Sequence, residues 1–167
     1  MSAAKRMSTG PTFWRVIEPT NLFVKLRPTP SGEGSVEDHI RITREHGSVW
    51  WGRWSSARAS RAAIVEQLND QVSRGLHVSL VIRNSLARRE YSARILQLEP
   101  PTFVPPAHLT PRYRNAPQVD MWLRVANFVT LPEGWISNHC VYATGKLEGQ
   151  AVHYRGTQSL QYVAVRP

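Results

Sequence analysis

The sequence contains one cysteine (Cys140), three lysines and no long apolar run. One cysteine cannot close an intrachain disulfide and fits a reducing compartment, so a cytoplasmic location is expected. No stretch approaches the ~20 apolar residues that a membrane-spanning helix needs. The opening MSAAKRMSTG carries two cations with no apolar segment behind them, unlike a secretory leader. No membrane partner is expected. The phosphate-cradling patterns GxxxxGK[ST] and GxGxxG are absent. His39, His46, His77, His108, His139 and His153 include no pair at the i, i+4 spacing of a helical metal site, and His139-Cys140 lacks partners for a zinc set. Glu37, Asp38 and Glu45 make no nuclease-type arrangement with a lysine. With no nucleophile, base and stabiliser in evidence, the chain is expected to be a non-enzyme with no cofactor or metal.

What is present is arginine. Eighteen of the 21 cations are arginines, against 12 carboxylates, for a net charge of +9. The guanidinium fork matches phosphate oxygens and base edges, and a field of this sign attracts polyanions. Ten arginines lie between Arg41 and Arg94, with only Glu45, Glu66, Asp70 and Glu90 among them. This clustering points to nucleic acid as the partner.

The 167 residues make one domain. Residues 1–12 read as a flexible tail and 13–167 as a single nucleic-acid-binding domain. FWRVI (13–17) reads as a strand closed by Glu18-Pro19, and TNLFVKL (20–26) as one or two helical turns. The stretch 28–35 is loop by composition, and VEDHIRITREHG (36–47) is ambiguous. GSVWWGRW (47–54) is an aromatic strand in which Gly52 marks a bulge or a close approach. The clearest helix is 55–75, with a serine cap at Ser55, Ser56 or Ser60, an Ile64, Leu68, Val72 stripe and a closing Gly75. LHVSLVIR (76–83) and YSARILQL (91–98) read as a strand pair around a basic connection. Prolines make 100–118 an extended crossing. DMWLRVANFVTL (120–131) and SLQYVAV (159–165) are further strands, and LPEGWISN is loop. The class is α+β, a curved sheet or β-barrel with flanking helices.

Trp50, Trp51 and Trp54 fall within five residues. Along a strand Trp50 and Trp51 must face opposite ways, so only one of them can enter a given core. Tryptophan is also suited to stacking on a base or enclosing a methyl group. Trp14 and Trp122, inside apolar strands, read as core.

The order GSVWWGRWSS, helix, HVSLVIR and YSARILQL resembles the methylated-base-reading YTH domains and the related EVE domains of the PUA-like superfold. FWRVIEPTN looks like the family's first strand, MWLRVANFVTLP like its late strand, and RGTQSLQYVAV like its closing segment. The WWGRW version also resembles the N-terminal specificity domains of McrB-like modification-dependent restriction systems. The resemblance implies that Trp50, following Val49 as in V-W-[ST], is the first wall of an aromatic cage. Trp51 stands where the family has Ser or Thr, a departure from the pattern that leaves the backbone contact expected there without its usual residue. Thr20 and Asn21 fall where the family reads the base edge, and Asn127 where YTH domains often carry Asp. The second cage aromatic is implied in a late loop, with Trp135 and Tyr142 as candidates, and Trp54 is a further pocket candidate. Charge alone nominates Arg53, Arg58, Arg61, Arg88 and Arg89 for phosphates.

These readings converge on a domain that recognises a modified base extruded into an aromatic pocket. Modified DNA is preferred, within a restriction or defence system that supplies a fused or associated nuclease or NTPase effector. The alternatives are a YTH-like reader of methylated RNA, a PUA-like accessory enzyme of RNA processing, and a protein-interaction module using the Trp patch.

Overall fold

The computed structural model describes residues 20–26, 35–53, 61–85, 87–111, 119, 121–143, 148–153 and 160–165, with side chains described for all of these except 53, 61–64 and 160–162. The tail at 1–12, the strand expected at 13–17 and the serine cap expected at 55–60 lie outside the described residues.

Among the described residues the order is β1 (Asn21–Leu26), α1 (Val36–His46), β2 (Val49–Arg53), α2 (Arg61–Ser73), β3 (Ser79–Asn84), β4 (Arg89–Glu99), a 3-10 turn (Ala107–Leu109), β5 (Met121–Leu131), α3 (Trp135–His139), β6 (Cys140–Tyr142) and β7 (Leu160–Val165). The seven strands form one open sheet in the order β2-β5-β4-β3-β1-β7-β6. The β1–β3 pair is parallel and the others are antiparallel. The α+β expectation of a curved, mainly β architecture holds.

Two segments differ from the sequence reading. TNLFVKL forms strand β1, not helical turns. Enclosed between β3 and β7, it buries residues on both faces, Leu22 and Val24 on one and Asn21 and Phe23 on the other. Such a continuous apolar run has no strand alternation to betray it. The ambiguous stretch 36–47 is helix α1. The Ser35 side chain accepts from the Asp38 N–H at 3.2 Å, Glu37 and Asp38 occupy the positive end, and Gly47 (φ 87) closes it with its N–H on Thr43 O. LPEGWISN, expected as loop, enters α3 at Trp135.

The larger core lies on one face of the sheet. It takes Leu22 and Val24 from β1, Leu80 and Ile82 from β3, Ala93 and Ile95 from β4, Leu123 and Val125 from β5, and Val36, Ile42 and Leu68 from the helices. Leu68 and Val72 of α2 pack there, and Gly75 (φ 78) ends the helix with the Leu76 N–H bonded to Gln71 O. Two bulges interrupt the β4–β5 ladder. Asn127 and Phe128 together oppose Ala93, and Leu96 is the extra residue between the Ile95↔Val125 and Gln97↔Arg124 pairs. Such insertions increase local twist and curve a sheet over its core.

The opposite face carries a smaller cluster of Phe23, Val81, Ile136, Cys140, Tyr142, Val152 and Val163. Its polar anchor is Glu90, fully buried at the start of β4. The carboxylate accepts from Gly134 N at 2.6 Å, Ile136 N at 2.7 Å and the Arg83 guanidinium at 2.9 Å. A helix start leaves backbone N–H groups without internal partners, and Glu90 satisfies two of them from across the sheet. This fixes α3 over the second cluster.

Candidate nucleic-acid interface

Strand β2 distributes the tryptophans between the two faces, as alternation requires. Trp51 points into the larger core and is 4% exposed. One side of its indole lies on His39, with centroids 3.9 Å apart and planes 24° from parallel, and Phe128 follows at 6.5 Å on a similar plane. The His39 ring Nδ1 is 2.6 Å from Ser35 O. A carbonyl can only accept, so Nδ1 carries the proton. Burial lowers the His39 pKa to about 4, against the opposing pull of the Ser35 carbonyl and Asp38. The imidazole is therefore neutral at physiological pH.

Trp50 points to the other face and is 5% exposed. Its ring meets Phe103 at 4.5 Å with the planes tilted by 45°. Arg124 stands opposite Trp50 in the ladder and donates from Nε to Ser48 Oγ at 3.0 Å. Two residues on, Gly52 faces Trp122, and a Cβ there would sit 2.9 Å from Trp122 Cζ3. Gly52 therefore marks a close approach, with the Trp122 ring lying over the bare backbone. Ser48, Trp50, Phe103, Trp122 and Arg124 form a largely buried aromatic and cationic cluster at the β2 edge of the sheet.

Phe103 was missed in the sequence reading, which took the proline-rich 100–118 only as a crossing. An aromatic ring between two Pro-Pro pairs was the available signal, since such a stiff segment can present a ring to the sheet.

The residues nominated for the rest of the pocket do not gather around Trp50. Three strands separate β1 from β2 in the sheet. Thr20 is tied to α2, its N–H donating to Gln71 Oε1 at 2.8 Å and its carbonyl accepting from Gln71 Nε2 at 2.9 Å. Its hydroxyl accepts from Gln67 Nε2 at 3.2 Å. Asn21 is 3% exposed, and its Oδ1 accepts from Ser79 N at 2.7 Å. These groups organise the start of β1.

Trp135 and Tyr142 belong to the second cluster beside α3. Trp135 stacks on His139 at 4.7 Å, and the Tyr142 hydroxyl bonds the backbone of His153, donating to O and accepting from N, each at 3.2 Å. Neighbouring Cys140 is buried, and burial with the Glu90 charge pushes its thiol up to about 12, which leaves it unreactive. The ring that the structure brings to Trp50 is Phe103 instead. Asn127 lies exposed on β5, in the left-handed conformation (φ 56) of the bulge.

Of the nominated phosphate contacts, Arg88 and Arg89 are exposed at the β3–β4 turn, Arg88 at φ 53. Arg89 reaches the Tyr91 hydroxyl, whose pKa burial raises while Arg89 opposes. Trp54 and Arg58 lie outside the described residues, as do the side chains of Arg53 and Arg61. Among the described residues no three potential metal ligands come together, and no helix is long and apolar enough to cross a membrane.

Comparison with curated proteins and with solved structures returns no match. The family model described as Pua-like matches residues 22–158, from β1 through the segment before β7, and the chain belongs to the Pua-like family.

Proposed function

We propose that this chain is a nucleic-acid-binding domain that recognises a modified base extruded from its strand, and that the base is held between Trp50 and Phe103. The observation that carries this reading is the Trp50–Phe103 pair, set beside Arg124 on a Pua-like chain of net charge +9. The family often binds nucleic acids, and the charge supplies the long-range attraction.

At 4.5 Å the two rings are in contact. A base stacked between them needs a separation of about 7 Å, twice a van der Waals contact. Binding therefore replaces the Phe103 contact with base contacts on both rings, and Phe103 acts as the door of the slot. Extrusion costs a few kcal/mol, offset by stacking of about 1–3 kcal/mol per base and by phosphate contacts. A methyl group on the base fills space between the rings that an unmodified base leaves empty, worth about 1–3 kcal/mol. The domain acts by binding rather than catalysis. Modified DNA is the preferred ligand, and the domain serves as the specificity module of a modification-dependent restriction or defence system whose nuclease or NTPase is fused or associated.

The test compares binding of the full chain to duplexes carrying 6-methyladenine, 5-methylcytosine, 5-hydroxymethylcytosine or no modification, alongside RNA with and without 6-methyladenine. One modified duplex should bind at least tenfold tighter than its unmodified counterpart, and Trp50→Ala should abolish that ratio. Equal binding of all duplexes, or selectivity that survives Trp50→Ala, overturns the reading. Preference for the methylated RNA transfers it to the RNA-reading alternative.

A further inference from the structure

The bulge in β5 has opened a groove against the last turns of α1. It encloses about 350 Å³, large enough for a nucleotide. Four polar side chains line it: Thr43 and Arg44 from α1, and Asn127 and Thr130 from β5. The Thr43 hydroxyl donates to His39 O at 2.8 Å, and among the described residues none of the other three has a side-chain hydrogen bond or ion pair. The carboxylate beside Arg44 is already engaged, since Glu45 lies 3.4 Å from Arg41 and 3.8 Å from His46. Arg44 thus faces the groove with its charge uncancelled.

The apolar lining is equally specific. Phe128 is half-buried in the groove and backed by Trp51 at 6.5 Å, which rests in turn on His39. A ring supported from behind in this way is a rigid platform, and losing it would disturb the core. Asn127 holds φ 56, a conformation that asparagine tolerates better than most residues, and the bulge exposes its amide at the groove.

We propose that this groove is a second binding site on the chain, taking a further nucleotide of the strand that carries the extruded base. It rests on the nucleic-acid reading above. The ring of this second base stacks on Phe128, the Asn127 amide pairs with its edge through one donor and one acceptor, and the Arg44 fork takes its phosphate. The groove opens on the α1 face of the sheet, where Phe128 packs against the larger core, and the Trp50–Phe103 slot lies on the other face, so a strand that engages both passes round the β2 edge.

The experiment uses the full chain labelled with ¹⁵N and a single-stranded DNA hexamer carrying one central 6-methyladenine, which needs no extrusion from a duplex. The amide signals of Gly47, Asn127 and Thr130 should move saturably. Asn127→Gly, which suits the positive φ, and Arg44→Gln, on the helix surface, should each weaken binding about five- to tenfold. The preference for methylated over unmethylated hexamer should stay as in the wild type. The Arg44 variant should also lower the slope of log affinity against log salt by about 1. If the hexamer binds but these signals stay still, or both variants bind like the wild type, the groove assignment falls and the base-reading site stands. If no nucleic acid binds in any assay, both fall. Saturation of the groove by a phosphopeptide in preference to the hexamer overturns the nucleotide assignment.

Discussion

The imidazole of His39 lies flat on Trp51, 3.9 Å between centroids, with its Nδ1–H committed to Ser35 O. This makes one helix of the domain sensitive to acid. His39 has a folded pKa of about 4 against an ordinary 6.5, so the unfolded chain takes up the proton first as pH falls. The His39 contribution is complete above pH 6.5 and drains away as pH falls through the window down to about 4. The gap corresponds to about 3 kcal/mol. Urea midpoints measured from pH 7.5 to 4 should fall across that window. His39→Phe, which keeps a ring on Trp51, should flatten the fall, and an equally steep fall in the variant would place the acid sensitivity elsewhere.

Gly52→Ala tests the packing around the proposed slot. The added methyl would meet Trp122 Cζ3 at 2.9 Å and Val119 Cγ2 at 3.3 Å. Trp122 is 9% exposed, so its ring has little room to retreat. Overpacking of this kind costs about 1–3 kcal/mol. A lowered urea midpoint is expected, and a variant as stable as the wild type would show that Trp122 shifts freely.

These two sites also show what the sequence made legible. Opposite faces for Trp50 and Trp51 follow from strand alternation alone, and Gly52 announced a close approach because a glycine inside an aromatic strand has few other uses. The partner of Trp50 was not legible. Phe103 is 53 residues away in sequence, and the connection that delivers it reads as irregular by composition. Of the candidates nominated in its place, Trp135 is held on α3 by the Glu90 anchor, a long-range capping contact with no local signature, and Tyr142 is held on β6 by the His153 backbone. Strand β1 was hidden because burial on both faces erases alternation. Helix α1 did carry its caps, Ser35 and Gly47, but His39 sits where an apolar residue would have completed the stripe.

Glu90→Gln should release α3. The substitution leaves the Arg83 guanidinium with a neutral partner and presents an amide N–H₂ to backbone donors that need an acceptor. Breaking a buried pair in this way costs about 3–5 kcal/mol. Hydrogen exchange at Gly134 and Ile136 should accelerate before that of the β3–β4 ladder. Unchanged exchange at Gly134 and Ile136 in Glu90→Gln would deny Glu90 its anchoring role.

Arg88 and Arg89 separate affinity from selectivity. Both are exposed at the β3–β4 turn, away from the Trp50–Phe103 slot at the β2 edge. A phosphate contact releases counterions, and each one lost reduces the salt slope by about 0.9. Removing both charges with Arg88→Gln and Arg89→Gln should weaken binding to every oligonucleotide and lower the slope by about 2. The ratio between modified and unmodified ligand should not change, because the turn carries no group that reaches the base. Neutral glutamine is preferred to charge reversal at Arg89, since Glu37 already bonds the Tyr91 hydroxyl that Arg89 reaches. An unchanged slope would move the phosphate track off this turn, and a lost ratio would tie the turn to the slot.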